Sequence, residues 1–177
     1  MKQFHFDPFR DRLARDIRNN LSKAFLLALA ENNVSIFQRC GAYYLRQSPE
    51  PGYVSYVKTR LANYEEVYAI IQKKKLRDIL QQATILWDRE LYFEMHELLE
   101  PEWKEAEGDR RKALQGLIRA AGMKIHAENK NKRAAVTMGA KALTDLVNHS
   151  GELKGFEKLE AVLADVKQAI GKAQGNT

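Results

Sequence analysis

The sequence holds one cysteine in 177 residues, Cys40, with only four prolines and ten glycines. A single thiol excludes an internal disulfide framework and a cysteine-based zinc site, and fits a reducing compartment. Few helix breakers are present, and 41 Ala and Leu stand against 22 Val, Ile and Thr, so little favours strand. No apolar run approaches the roughly 20 residues a membrane span needs. The one secretory look-alike, Ala24 to Ala30, stands behind Asp7, Asp11 and Asp16, too far along and too acidic for a signal segment. The expectation is a cytoplasmic, all-α protein that does not enter a membrane: a compact bundle of antiparallel helical hairpins with six to seven helices.

What is present in excess is positive charge, and it is unevenly placed. Residues 1–75 carry 13 Lys/Arg against 7 Asp/Glu, whereas residues 76–177 carry 16 of each, so the whole net charge of +6 belongs to the first part. This divides the chain into a basic helical N-terminal extension, 1–75, and a helical bundle, 76–177. Within the bundle the signs segregate again. Residues 88–109 hold nine acids against Arg89 and Lys104, and residues 110–141 hold nine bases against Glu128 alone. Such a pattern suggests two neighbouring helices with complementary faces, where exposed pairs select the pairing more than they stabilise it.

The elements follow from punctuation and period. Asp7-Pro8 reads as a helix start, and Leu13, Ile17, Leu21, Ala24 and Ala28 as the apolar stripe behind it. Ile36, Phe37, Cys40 and Tyr44 fit a second helix, followed by a loop at Ser48-Pro49-Glu50-Pro51-Gly52. From Val54 to Glu90 the pattern is helical, with Asn63 and the Lys73–Lys75 run as its expected breaks. Further helices are expected from about Leu91 to Ala106, from Arg110 to Asn129, and around Ala135–Leu146, where Gly151 offers a left-handed stop. A final helix carries Phe156, Leu159, Leu163, Val166 and Ile170.

Chemistry concentrates in Phe93-Glu94-Met95-His96-Glu97-Leu98-Leu99-Glu100-Pro101-Glu102-Trp103. At about 100° per residue, Leu91, Met95, Leu98 and Leu99 face a core, while His96, Glu97 and Glu100 share another side with Glu94 at its edge and Trp103 beside His96. His96 and Glu100, one turn apart, can reach one point above the helix. An imidazole with two or three carboxylates suits a divalent metal or general acid–base work. Pro101 cannot donate to the Glu97 carbonyl, so a kink is expected there. The next helix runs a polar stripe, Gln115, Arg119, Gly122 and His126, between apolar and small residues. Its buried polar groups need partners, and His96, Glu97 and Glu100 are the expected ones. Each feature also has a plain structural reading: a hydrogen-bond network for the histidines, a solvated acidic face for the glutamates, an edge anchor for Trp103.

The spacing Phe93-Glu94-x-His96-Glu97-x-x-Glu100-x-x-Trp103, followed by Leu114-Gln115-Gly116-Leu117-Ile118 and His126, resembles the family called domain of unknown function 309, over about residues 76–148. The resemblance implies a small all-α bundle and no particular activity. It implies a site at Glu94, His96, Glu97, Glu100, Gln115 and His126. Arg119 stands where a glutamine is commoner, and Pro101 is also unusual. A fixed positive charge at Arg119 would pair with the carboxylates and disfavour a divalent cation.

Three functional readings follow. The first is a small-ligand or metal site between the two central helices, lined by Glu94, His96, Glu97, Glu100, Trp103, Gln115, Arg119 and His126. His96, Glu97 and Glu100 would be its catalytic candidates, and His96, Glu100 and His126 its ligands for a divalent metal. The second is a protein-interaction module or homo-oligomer in which the Glu/His network only fixes helix packing. The third is nucleic-acid binding by the basic residues 1–75, whose Tyr43, Tyr44, Tyr53, Tyr56, Tyr64 and Tyr68 could stack on bases.

Overall fold

The structure is a computed structural model that describes residues 6–47 and 50–174, the side chains of 172–174 aside. All regular elements among the described residues are helical: α1 (Arg12–Glu31), α2 (Ser35–Gln47), α3 (Pro51–Lys74), α4 (Ile79–Asp88), α5 (Tyr92–Glu105), α6 (Gly108–Glu128), α7 (Lys132–His149) and α8 (Leu159–Gln174), with a 3-10 turn at Ser150–Glu152. The all-α expectation holds, with eight α-helices in place of six or seven. The chain divides into two units, Met1–Lys75 and Leu76–Thr177.

In the first unit α1, α2 and α3 pack against one another. Its centre is aromatic. Phe25 stacks on Tyr64 with ring centroids 4.2 Å apart, and Phe37 meets both edge-on at 5.8 and 5.7 Å. Around them lie Ile17, Leu21, Ala28, Val57 and Val67, all without exposed surface. The buried arc of α1 is rotated from the expected stripe, since Ala14 and Phe25 are buried while Leu13 is 40 % exposed. Asp7 does not begin α1. It closes a separate turn by accepting from the Phe9 amide at 2.9 Å, and Asp11 is the N-cap, accepting from the Leu13 amide at 2.9 Å. α3 starts at Pro51, which needs no donor there, and runs unbroken through Asn63 to the lysine run, where Lys75 takes a left-handed φ of 53°. Ser48 and Pro49 of the expected loop lie outside the described residues.

In the second unit each helix packs on the next, and α6 and α7 lie along each other most extensively. Small residues permit that closeness. A Cβ on Gly116 would sit 2.8 Å from Leu146 Cγ, and one on Gly122 would sit 2.7 Å from Met138 Sδ. Asp78 caps α4 by accepting from the Leu80 and Gln81 amides. Thr84 on α4 then accepts from the Glu157 amide at 3.1 Å, fixing the segment that leads into α8. Lys124 ties four helices: its Nζ is 3.0 Å from Asp165 Oδ2 and lies over the rings of Trp87 and Tyr92. α7 ends at His149, within the expected stop, but Gly151 does not take the left-handed position. The chain tightens into the 3-10 turn, and the left-handed glycine is Gly155, at φ 100°.

Candidate functional site

α5 is anchored by Leu91, Met95 and Leu99, which have no exposed surface. Glu94 is equally buried, in the first turn of α5, where the positive end of the helix favours a carboxylate. That turns His96, Glu97 and Glu100 to the half-buried side. Each can offer a ligand atom, and those atoms all lie within 4.8 Å of one another. The His96 Nδ1 is buried and stands 3.3 Å from Glu97 Oε1, while Glu100 Oε1 stands 3.1 Å from Lys104 Nζ. Pro101 lies inside α5, which continues through it to Glu105.

His96 also forms one wall of a half-open groove of about 550 Å³. From α6 come Gln115, Ile118, Arg119 and Gly122. The remaining wall is the start of α7: Asn131, Arg133, Ala134, Thr137, Met138 and Lys141. Gly122 shapes the floor, because a side chain there would meet Met138 at once. The polar stripe of α6 thus has its upper part, Gln115 and Arg119, on the groove.

Arg119 does not pair with Glu97 or Glu100 among the described ion pairs. Its Nη1 bonds Asp145 Oδ2 on α7, a carboxylate whose side chain is only 17 % exposed. The cause is the tight α6–α7 seam: a Cβ on Gly116, one turn before Arg119, would lie 3.1 Å from Asp145 Cβ. His126 is half-buried, neither lines the groove nor joins the His96–Glu97–Glu100 group, and burial holds its imidazole below the ordinary pKa. Trp103 lies outside the groove lining as well, with the Arg111 guanidinium 4.7 Å above its ring. Glu94 belongs to neither set. The complementary charge of α5 and α6 is realised at one end, where Arg110 Nη2 is 3.3 Å from Glu102 Oε1.

Sequence reasoning missed the α7 wall. Its signal was present, since Arg133, Thr137, Lys141 and Asp145 recur every four residues and therefore share a face. The apolar residues of the same helix, Ala135, Ala142 and Leu146, give the stronger periodic signal and point to a core face.

Fold and site together define a small all-helical domain with a polar groove between three of its helices. The model of the family described as Domain of unknown function (DUF309) matches residues 80–138, bearing out the resemblance over α4, α5, α6 and the first turns of α7. No curated protein and no solved structure matches the chain.

Proposed function

We propose that the second unit is a ligand-binding bundle and that the groove between α5, α6 and α7 takes a small molecule. The observation that carries this is the groove itself. Its volume of about 550 Å³ falls within the roughly 300–1,000 Å³ of small-molecule sites. Its lining mixes apolar Ile118, Ala134 and Met138 with a few convergent polar groups, His96, Gln115, Arg119 and Thr137, the composition such sites share. The buried Nδ1 of His96 faces Glu97. With Nδ1 buried, Nε2 is the nitrogen to meet a ligand or accept a proton from one.

A thermal-shift screen of small anions, cations and neutral metabolites tests this, run on wild type beside Thr137→Trp. Thr137 is an exposed groove residue, so a large ring there fills the site without disturbing the core. The expected result is at least one compound that raises the wild-type Tm and leaves the variant unmoved. Shifts that persist in Thr137→Trp, or none from any class, overturn the reading.

A second reading is favoured by the convergence of His96, Glu97 and Glu100. One nitrogen and two carboxylate oxygens form a ligand set for a divalent cation such as zinc or manganese, with Glu97 in the role that the sequence suggested for His126. Metal content of untagged protein, wild type beside His96→Ala, decides it. Near-stoichiometric metal that disappears in the variant supports the reading, and metal-free wild type ends it.

A further inference from the structure

We infer that the ligand of this groove is an oxyanion, a small molecule bearing phosphate or carboxylate groups, held by Arg133 and Lys141 with Arg119 between them and His96. This rests on the groove being a ligand site and adds the class of ligand. Three cationic side chains line the groove, Arg119, Arg133 and Lys141, and no carboxylate does. Of the acids close to lining residues, Asp145 pairs with Arg119, and Glu97 and Glu100 stand beside His96 outside the lining. The Asp145 carboxylate is thereby engaged with Arg119. Arg133 and Lys141 make no ion pair among the described residues, so a ligand need displace no protein partner. Thr137, one turn from each, lies on the groove between them, its hydroxyl donating to the Arg133 carbonyl at 3.0 Å.

Two further features act in the same direction. Asn131, the N-cap of α7, and Arg133 and Ala134 in its first turn all lie on the groove, so the positive end of α7 opens onto it. Spacing sets the size. Arg133 and Lys141 are two steps of four residues apart, about 12 Å along the axis, a span that long flexible side chains can close onto a molecule of a few carbon or phosphorus centres. A polyanionic chain is a poorer fit, because residues 76–177 carry no net charge to draw it in.

Calorimetric titration of the full chain with inorganic pyrophosphate, with citrate and with a neutral hexose tests the inference, on wild type, Arg133→Gln, Lys141→Gln and Thr137→Trp. The expected result is saturable binding of pyrophosphate or citrate that weakens about tenfold or more in each Gln variant, falls with added salt, and is absent in Thr137→Trp. The tighter of the two anions identifies the ligand as phosphate- or carboxylate-bearing. Both Gln positions are exposed, so folding is kept, and circular dichroism checks it. Failure of both anions to bind, or binding indifferent to both Gln variants, overturns the inference. If the hexose binds wild type but not Thr137→Trp while the anions do not bind, the groove remains a ligand site and the oxyanion assignment alone falls.

Discussion

The two units solve the same packing problem with opposite materials. Residues 1–75 fill their centre with large rings, Phe25, Phe37 and Tyr64, none of which keeps any exposed surface. Residues 76–177 bring helices together over small residues, with Gly116 against Leu146, Gly122 against Met138 and Gly139 against Met123. Among the described residues, the first unit has one such approach, Gly41 against Leu61. The consequence is functional. Rings converging on one point complete a core and leave polar groups outside it. Two helices held close along their length by glycine and alanine bring polar side chains at the seam's edge, such as Arg119 and Asp145, against each other and leave a groove beside His96 of a third helix.

The contrast breaks most visibly at the rings. Tyr64→Ala removes the partner of both phenylalanines and should cost about 3–5 kcal/mol. Hydrogen exchange by mass spectrometry should report lost protection across α1–α3 while α6 and α7 keep theirs. Equal loss in both would mean that the two cores are not separate.

The seam gives the next effect. Gly116→Ala gains about 1 kcal/mol of helix propensity but drives a methyl to 2.8 Å from Leu146 Cγ and 3.1 Å from Asp145 Cβ. Overpacking of that kind costs typically about 1–3 kcal/mol, so a net destabilisation of about 1 kcal/mol is expected in urea denaturation. Gly151→Ala, with nothing within 4 Å of the new methyl, is the control and should be nearly neutral. A Gly116→Ala variant as stable as wild type would show that α7 can shift, and that the groove is not fixed by the seam.

These particulars also say what the sequence could carry. The helices, the motif on α5 and the lysine stop of α3 were legible because period and caps are local. Two aspartates four residues apart, Asp7 and Asp11, both qualify as caps, and only the chain's path decides that Asp11 starts α1. The partner of Arg119 was not legible. Choosing between Glu100 on α5 and Asp145 on α7 requires the distance between helices, which the glycines of α6 set. His126 shares a stripe with Gln115 and Arg119, yet an α6 of 21 residues spans about 30 Å, so one stripe can serve a groove at one level and a half-buried site at another.

His126 offers a pH test confined to the second unit. Burial lowers its pKa from the ordinary 6.5, so the folded state favours the neutral ring and the unfolded chain takes up the proton first. Stability of this unit should therefore hold above pH 6.5 and decline as pH falls below it. His126→Gln, which cannot titrate, should flatten that decline when Tm is followed from pH 8 to 5. An unchanged slope would move the acid sensitivity to another group.

The smallest effect belongs to the first unit and has two edges, one acid and one alkaline. The Tyr53 hydroxyl donates to Asp11, the N-cap of α1. That bond holds the Asp11 carboxyl below its ordinary 3.8 and pushes Tyr53 up to about 12. For the acid, a lowered pKa means stabilisation that is present above 3.8 and fades as pH falls through the folded value. For the phenol, a raised pKa means stabilisation that is complete below 10 and is lost as pH rises toward 12. Because the pair lies near solvent, its worth is about 1 kcal/mol or less. Tyr53→Phe should thus lower stability by a small constant amount between pH 4 and 10, and the gap should close at both extremes. A gap that persists at acid pH would assign the loss to the hydroxyl as a neutral hydrogen-bonding group, since the variant keeps the ring, rather than to the charge on Asp11.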